Sequence, residues 1–261
     1  MHSWLAPIQL IVEDSPQTGA WNMAVDEALL NKSLRTGDVF VRLYRWSEAT
    51  VSLGYFQKVT DCDANEQLAT LPVVRRLSGG GAILHHHEQT YSCCLPPKHP
   101  IASQPLQLYE LVHSVVIEFL NEQGVAPVPR GKDARATPEP FLCFLRHSSH
   151  DLVVHGHKVL GSAQRRRRGA VLQHGSLLLR ASAFASDLPG LLDLAPEIRW
   201  NDSTAESLGD RMASRLGSCA RWARFPGELR TQSLSFGNVA CQTPTHVSIL
   251  EERSPHDMPP N

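Results

Sequence analysis

Val73-Val74-Arg75-Arg76-Leu77-Ser78-Gly79-Gly80-Gly81-Ala82-Ile83-Leu84 is the stretch on which the architecture turns. Val73–Arg76 reads as a short strand, and a second strand follows at Ala82–Leu84, with the glycines between them. This is not a P-loop, because no Gly-Lys-Ser/Thr follows the glycines. Three consecutive glycines cost chain entropy, so a fold keeps them for a reason. They let a backbone approach a ligand closely, and successive N–H groups can form an anion-binding nest. The two arginines at the strand end could add bidentate contacts to a carboxylate or phosphate. The same residues also read as a flexible turn beside a surface arginine pair.

Toward the N-terminus, Trp21–Leu34 predicts a helix. Met23, Ala24, Val25, Ala28, Leu29 and Leu30 recur at i, i+1, i+4 and i+5, with Asp26-Glu27 between them. Gly37 stands where a helix C-terminal glycine would. Val39–Trp46 predicts a strand, Val41 and Leu43 alternating with Arg42 and Tyr44, and Thr50–Leu53 another, stopped by Gly54. Toward the C-terminus, Tyr91–Leu95 is a further strand. Leu106–Leu120 carries Leu108, Val112, Val115 and Phe119 at helical spacing, and Gly124 closes it. Ala126–Pro140 is a long proline-containing loop, of a kind that is often functional. Leu152–Val154 and Lys158–Leu160 predict a hairpin around His155-Gly156, and Ala170–Gln173 and Leu177–Leu179 a further strand pair. Ser203-Thr204-Ala205-Glu206 reads as a capping box opening a helix with Leu208, Met212 and Leu216 on one face. Strands dominate the first two thirds, which predicts an α+β class with a mixed, mainly antiparallel sheet and flanking helices.

The 261 residues are 42% hydrophobic and 20% charged, an ordinary globular mix. A chain of this size buries roughly three quarters of its unfolded surface and needs no staples. With 25 Lys+Arg against 26 Asp+Glu, the formal charge of −1 gives no global grip on nucleic acid or anionic lipid. No apolar run approaches a membrane span, and Met1–Pro7 does not read as a secretory signal. Cys62, Cys93, Cys94, Cys143, Cys219 and Cys241 are scattered without a CxxC pair, which predicts reduced thiols and a cytoplasmic protein.

His85-His86-His87 cannot present three ligands to one metal from a straight strand, because neighbours point to opposite faces; Cys93-Cys94 has the same problem. No metal is expected, and stoichiometric zinc would revive that reading. Arg165–Arg168 reads either as a solvated hairpin turn or as a docking patch for an acidic partner. Cys143 is a small buried hydrophobe or, beside a cation, a nucleophile. Lys158 is a surface residue or, in a closed pocket, a group that stabilises developing negative charge.

Several blocks carry a resemblance. They are Asn22–Glu27, Arg42–Trp46, Ser52–Gln57, Arg75–Ala82, Thr90–Ser92, Gly156–Gln164 and Leu172–Ser176, in that order. Over about residues 20 to 180 the chain resembles the lipoate–protein ligase and octanoyltransferase family, the biotin/lipoate A/B protein ligases. The resemblance implies a fold like that of biotin protein ligases (class II aminoacyl-tRNA synthetase/biotin synthetase-like), with a narrow apolar tunnel for an octanoyl or lipoyl chain. It implies one catalytic domain over residues 1–236, and the polar, proline-containing stretch 237–261 reads as a loosely held tail. It also implies that Arg75, Arg76, Ser78, Gly79, Gly80, Gly81, Ala82, His85, Gly161, Ser162, Ala163, His174 and Gly175 bind the acyl substrate, with Lys158 at its carbonyl.

Within the family, Cys143-Phe144, ahead of Ser148 and the Lys158 block, resembles the acyl-accepting cysteine of the cysteine-dependent octanoyltransferases. That implies transfer of octanoyl from acyl carrier protein, through an acyl-Cys143 thioester, to a lysine of a lipoyl-domain protein, without a cofactor. The longer ligases carry an extra C-terminal domain that this sequence does not show. Gly81 stands where the cysteine-type transferases often have Arg, and His150-Asp151 where an aromatic–acidic pair is usual. The alternatives are an ATP- and Mg-dependent lipoate–protein ligase working through lipoyl-AMP, or a non-catalytic protein that holds a lipoylated partner.

Overall fold

A computed structural model describes residues 8–63, 66–131, 140–146, 148–217 and 220–222. In chain order the elements are β1 (Ile8–Val12), α1 (Gly19–Thr36), β2 (Val39–Tyr44), β3 (Thr50–Leu53), α2 (Thr60–Asp63), β4 (Val73–Arg75), β5 (Ile83–His85), β6 (Glu88–Leu95) and α3 (Pro105–Asn121). There follow β7 (Val128–Pro129), a 3₁₀ turn (Cys143–Leu145), β8 (Leu152–Val154), β9 (His157–Arg167), β10 (Ala170–Leu178), α4 (Leu191–Leu194), α5 (Asp202–Leu216) and β11 (Ala220–Trp222). The larger sheet runs β11-β1-β2-β6-β10-β9-β8-β7, and a smaller one runs β4-β3-β5. Pairing is antiparallel from β2 through to β7 and parallel at β11-β1-β2, so the expected mixed, mainly antiparallel sheet is present.

Both faces of the large sheet are covered, and strict alternation sorts the side chains between them. Val39, Val41 and Leu43 of β2 join Leu108, Val112 and Val115 of α3 and Leu208 and Met212 of α5 on one side. Phe40 joins Val25, Leu29 and Leu30 of α1 on the other. Every residue of β2, β6 and β10 is buried in consequence. α1 begins at Thr18, whose side chain accepts from the Trp21 amide, and ends at Gly37, where φ of 79° permits the left-handed cap. Among the described residues no helix is long and apolar enough to cross a membrane.

Three local expectations change. Ala170–Gln173 and Leu177–Leu179 are not two strands but the ends of β10, paired along its length with β9. The polar Gln173-His174-Gly175-Ser176 interrupts the apolar pattern without interrupting the strand, because His174, Gly175 and Ser176 line a cavity and Gln173 is held by Tyr91 and Gln164. Arg165–Arg167 continue β9 rather than forming the turn, which falls on Arg168 and Gly169, both at positive φ. The cap of α5 is Asn201 with Thr204, two residues before Ser203. The expected tail at 237–261, and with it the 236/237 boundary, lies outside the described residues, as do 132–139 of the proline-containing loop.

Candidate active site

The glycine turn is assembled from within by its own arginine. Arg76 is 2% exposed, and its guanidinium donates to the carbonyls of Ser52 (2.7 Å), Gly79 (2.7 Å) and Gly81 (2.6 Å). Its Nε has no partner among the described residues. Burial lowers its pKa to about 10, with the Cys143 thiol group opposing and Arg146 adding to the effect. Gly80 lies at φ of 92°. Gly81 packs against Arg146: a Cβ there would sit 2.5 Å from Arg146 Nε, so that side chain would have to shift. Arg75, in contrast, points away from the turn. Its Nη1 collects the carbonyls of Gly54, Tyr55 and Gln57, and it does not line the cavity beside the turn. The expected pair of carboxylate-binding arginines is thus one scaffold for the turn and one for the neighbouring loop.

Ala82 ties the turn to the nucleophile candidate. Its N–H donates to Phe141 O and its carbonyl accepts from Cys143 N at 2.6 Å. Cys143 is a free, half-buried thiol. It opens onto a cavity of about 310 Å³, walled by Arg76, Gly79, Gly80, Ile83 and His85 on one side and by Gly161–Gln164 and His174–Ser176 on the other. That is the size of a small-ligand site. Lys158 sits behind Cys143, with Nζ 3.1 Å from the Cys143 carbonyl and 2.9 Å from Asp151 Oδ2, both side chains buried. Asp151 in turn accepts from Ser148 N at 2.8 Å. Gly161 leaves room for this ammonium, since a Cβ there would lie 2.7 Å from Lys158 Cε and 3.0 Å from Nζ.

Two buried polar networks hold the walls. Asp26 of α1 accepts from Arg42 (2.9 Å), Tyr44 (3.0 Å) and Ser92 (2.8 Å), and lies 3.3 Å from His174 Nδ1. Burial pushes the Asp26 carboxyl up, but His174 and Arg42 outweigh it and leave the pKa below the usual value. His174 Nε2 is 2.5 Å from Ser78 Oγ, so the Ser78 hydroxyl anchors the turn. In the second network, Gln173 Nε2 donates to Tyr91 OH (2.9 Å), which reaches Ser162 Oγ (2.7 Å), which reaches His113 Nε2 (2.8 Å). His113 Nδ1 lies 2.7 Å from the His150 carbonyl, so it carries the proton and Nε2 accepts. Gly175 packs on this chain, where a Cβ would meet Ser162 Oγ at 2.4 Å. His85 faces the cavity, stacked 3.8 Å from Trp46, its Nδ1 2.5 Å from Glu88 Oε1.

Most of the expected site therefore converges. Cys143, Arg76, Gly79, Gly80, His85, Gly161, Ser162, Ala163, His174 and Gly175 line one cavity. Ser78, Gly81, Ala82 and Lys158 stand directly behind it, and Arg75 outside it. The hydroxyls of Ser78 and Ser162 are engaged by histidines. His113 is the residue that sequence reading missed, and Asp151 was seen only as half of the His150-Asp151 pair, with no role given to it. The signal of His113 was faint, because a His on a helix reads as solvated.

Residues 18–216 match the family of lipoyl protein ligase A/B catalytic domains. The chain is similar to Octanoyltransferase LipM of Staphylococcus epidermidis, 39% identical over 169 residues that cover 60% of this chain and 61% of that one. It is similar also to Octanoyltransferase LipM of Halalkalibacterium halodurans, 36% identical over 179 residues that cover 64% of each. The matched region thus spans about three fifths of the length of these relatives. Among solved structures, a putative lipoate protein ligase from T. acidophilum has the same fold, with a TM-score of 0.68 at 18% identity, covering 88% of this chain and 94% of that one. A match over most of the sequence, a fold shared with a lipoate ligase and a cavity built from the matching blocks lead to one conclusion: the chain belongs to the lipoyl protein ligase A/B catalytic domain family.

Proposed function

We propose that the protein is an octanoyltransferase of protein lipoylation, taking octanoyl from a carrier thioester onto Cys143 and passing it to a lysine of a lipoyl-domain protein. The observation that carries this reading is the placement of Cys143. Its thiol opens onto the cavity floored by the glycine turn, with the Lys158 ammonium against its own carbonyl. The LipM relatives support it.

In the first step the Cys143 thiolate attacks the thioester carbonyl carbon. A new C–S bond forms, the old one breaks, and the carrier thiol leaves with a proton. Negative charge gathers on the carbonyl oxygen in between, and Lys158, held by Asp151, stabilises it. In the second step the acceptor lysine's amine attacks the acyl-Cys143 carbonyl. A C–N bond forms, the C–S bond breaks, and Cys143 recovers the proton the amine loses. No cofactor enters either step; ATP and Mg belong to the ligase alternative. The acyl carrier protein is the proposed donor. The free thiols at Cys93, Cys94 and Cys143 suit a reducing cytoplasm.

The test mixes the protein with an octanoyl-acyl carrier protein and an apo lipoyl domain, without ATP. An octanoylated lipoyl domain, lost in Cys143→Ser, is the expected result. Modification only after free lipoate and Mg-ATP are added would overturn transfer in favour of ligation.

A further inference from the structure

Phe56 is the most exposed large apolar side chain among the described residues, at 85%, and Tyr55 (43%) and Val59 (42%) lie beside it. Single exposed apolar residues are ordinary. These three are not, because the loop that carries them is held in place and sits on the rim of the cavity. Tyr55 N–H donates to Ser78 O at 2.9 Å, and Gly54 packs so closely on Gly80 that a Cβ would lie 2.0 Å from its carbonyl oxygen. Gly80 is itself exposed and lines the cavity. Arg75 gathers three carbonyls of the loop. From the opposite rim, Arg165 lies 4.8 Å over the Tyr55 ring, and its neighbour Gln164 lines the cavity.

We propose that Tyr55, Phe56 and Val59, framed by the positive charges of Lys58, Arg75 and Arg165, form the docking face for the lysine-bearing acceptor domain, and that this domain is acidic around its target lysine. The inference rests on the transferase reading. A carrier delivers its thioester on a long flexible arm, so the carrier's body can stay away from the mouth. A lysine reaches the acyl group on a four-carbon stem, so the acceptor's backbone has to settle on the rim, where Phe56 projects. Interfaces take most of their affinity from such aromatic and arginine anchors, and clustered cations select an acidic surface. The arginine run does not act as a unit: Arg166 donates to Ala102 O and Arg167 pairs with Glu27 and Asn31, leaving Arg165 to face the aromatic pair.

The experiment loads Cys143 from a small octanoyl thioester, octanoyl-CoA, and follows transfer to an apo lipoyl domain at increasing concentration. Calorimetry of the same domain with the full chain is run alongside. Phe56→Ser is expected to load Cys143 as the wild type does, while the half-saturating acceptor concentration rises about tenfold. Arg165→Glu is expected to raise it as well and to weaken its salt dependence. Transfer by Phe56→Ser at the wild-type acceptor concentration would overturn the docking face. A wild type that binds the domain in calorimetry, loses that binding in Phe56→Ser, and never loads Cys143 would overturn the transferase reading and leave the docking face standing.

Discussion

Lys158 Nζ lies 2.9 Å from Asp151 Oδ2, with 3% and 5% of the two side chains exposed. The ammonium is therefore placed by a fixed counter-charge rather than by its own flexible stem. Removing one partner of a buried pair strands the other, at about 3–5 kcal/mol. Asp151→Asn is expected to lower stability in urea melts by an amount near the bottom of that range, since the amide keeps an acceptor. The same variant is expected to slow octanoyl transfer at least tenfold. Unchanged turnover would mean that Asp151 does not position Lys158 for the reaction.

Lys158→Ala abolishes transfer if its ammonium stabilises the oxyanion. Gly161→Ala approaches the same group from the other side. A Cβ at 161 displaces Lys158 Cε and Nζ, which are side-chain atoms, rather than backbone. Turnover is expected to fall at least tenfold, with a loss of stability no greater than that of Asp151→Asn, because only the end of the Lys158 side chain has to shift. Gly54→Ala is the contrasting case, because there the collision is with the Gly80 carbonyl. Thermal melts are expected to show a clearly larger loss of stability for Gly54→Ala than for Gly161→Ala. Equal melting temperatures for the two variants would contradict the packing described.

Arg76→Lys keeps the charge but cannot span the Ser52, Gly79 and Gly81 carbonyls at once. At about 1 kcal/mol for each net hydrogen bond, the loss is expected to be about 2–3 kcal/mol, read by denaturant titration. A variant as stable as the wild type would show that the turn does not depend on the guanidinium fork.

Acid should weaken the fold before the carboxylates titrate. Burial lowers the His113 pKa from 6.5 to about 4, with the His150 carbonyl bond opposing and His150 and Lys158 adding to the fall. Between those values the unfolded chain binds a proton that the folded one refuses, so stability falls as pH drops from about 6.5 to about 4. The slope contributed is at most about 1.4 kcal/mol per pH unit for this histidine. Burial lowers His85 as well, against the pull of Glu88, and acts with the same sign. Asp26 and Glu88, held below their usual values, add a loss only at lower pH, as pH falls through their folded values. Urea midpoints measured from pH 8 to pH 4 are expected to flatten in His113→Gln, which can still donate to His150 O and accept from Ser162. A wild-type slope in that variant would contradict the assignment.

How far the sequence could be read depended on which atoms faced which surface. The helix at Trp21–Leu34, the strand at Val39–Trp46 and the glycine turn were all legible, because apolar spacing and glycine chemistry are local signals. β10 was not, because His174 and Ser176 line the cavity and Gln173 joins a buried hydrogen-bond network, and all three break an apolar pattern that the backbone continues. Arg42 alternates with Val41 and Leu43 in the strand pattern, which by itself does not say what it faces. It is fully buried, answered by Asp26, Asn22 and Glu13 from elsewhere in the chain. Arg75 and Arg76 could not be told apart by sequence, since the loop carbonyls that engage Arg75 are set by tertiary packing. Cys143 and Lys158, 15 residues apart, were legible as a pair only through the family resemblance. Asp151, between them, completes their geometry.

The decisive measurement is intact-protein and peptide mass spectrometry of the chain after brief exposure to octanoyl-acyl carrier protein alone, without ATP and without acceptor. One octanoyl group on the peptide containing Cys143, discharged on adding the apo lipoyl domain, is the predicted result. An adduct on another residue, or none while the lipoyl domain still becomes octanoylated, would contradict the acyl-Cys143 route.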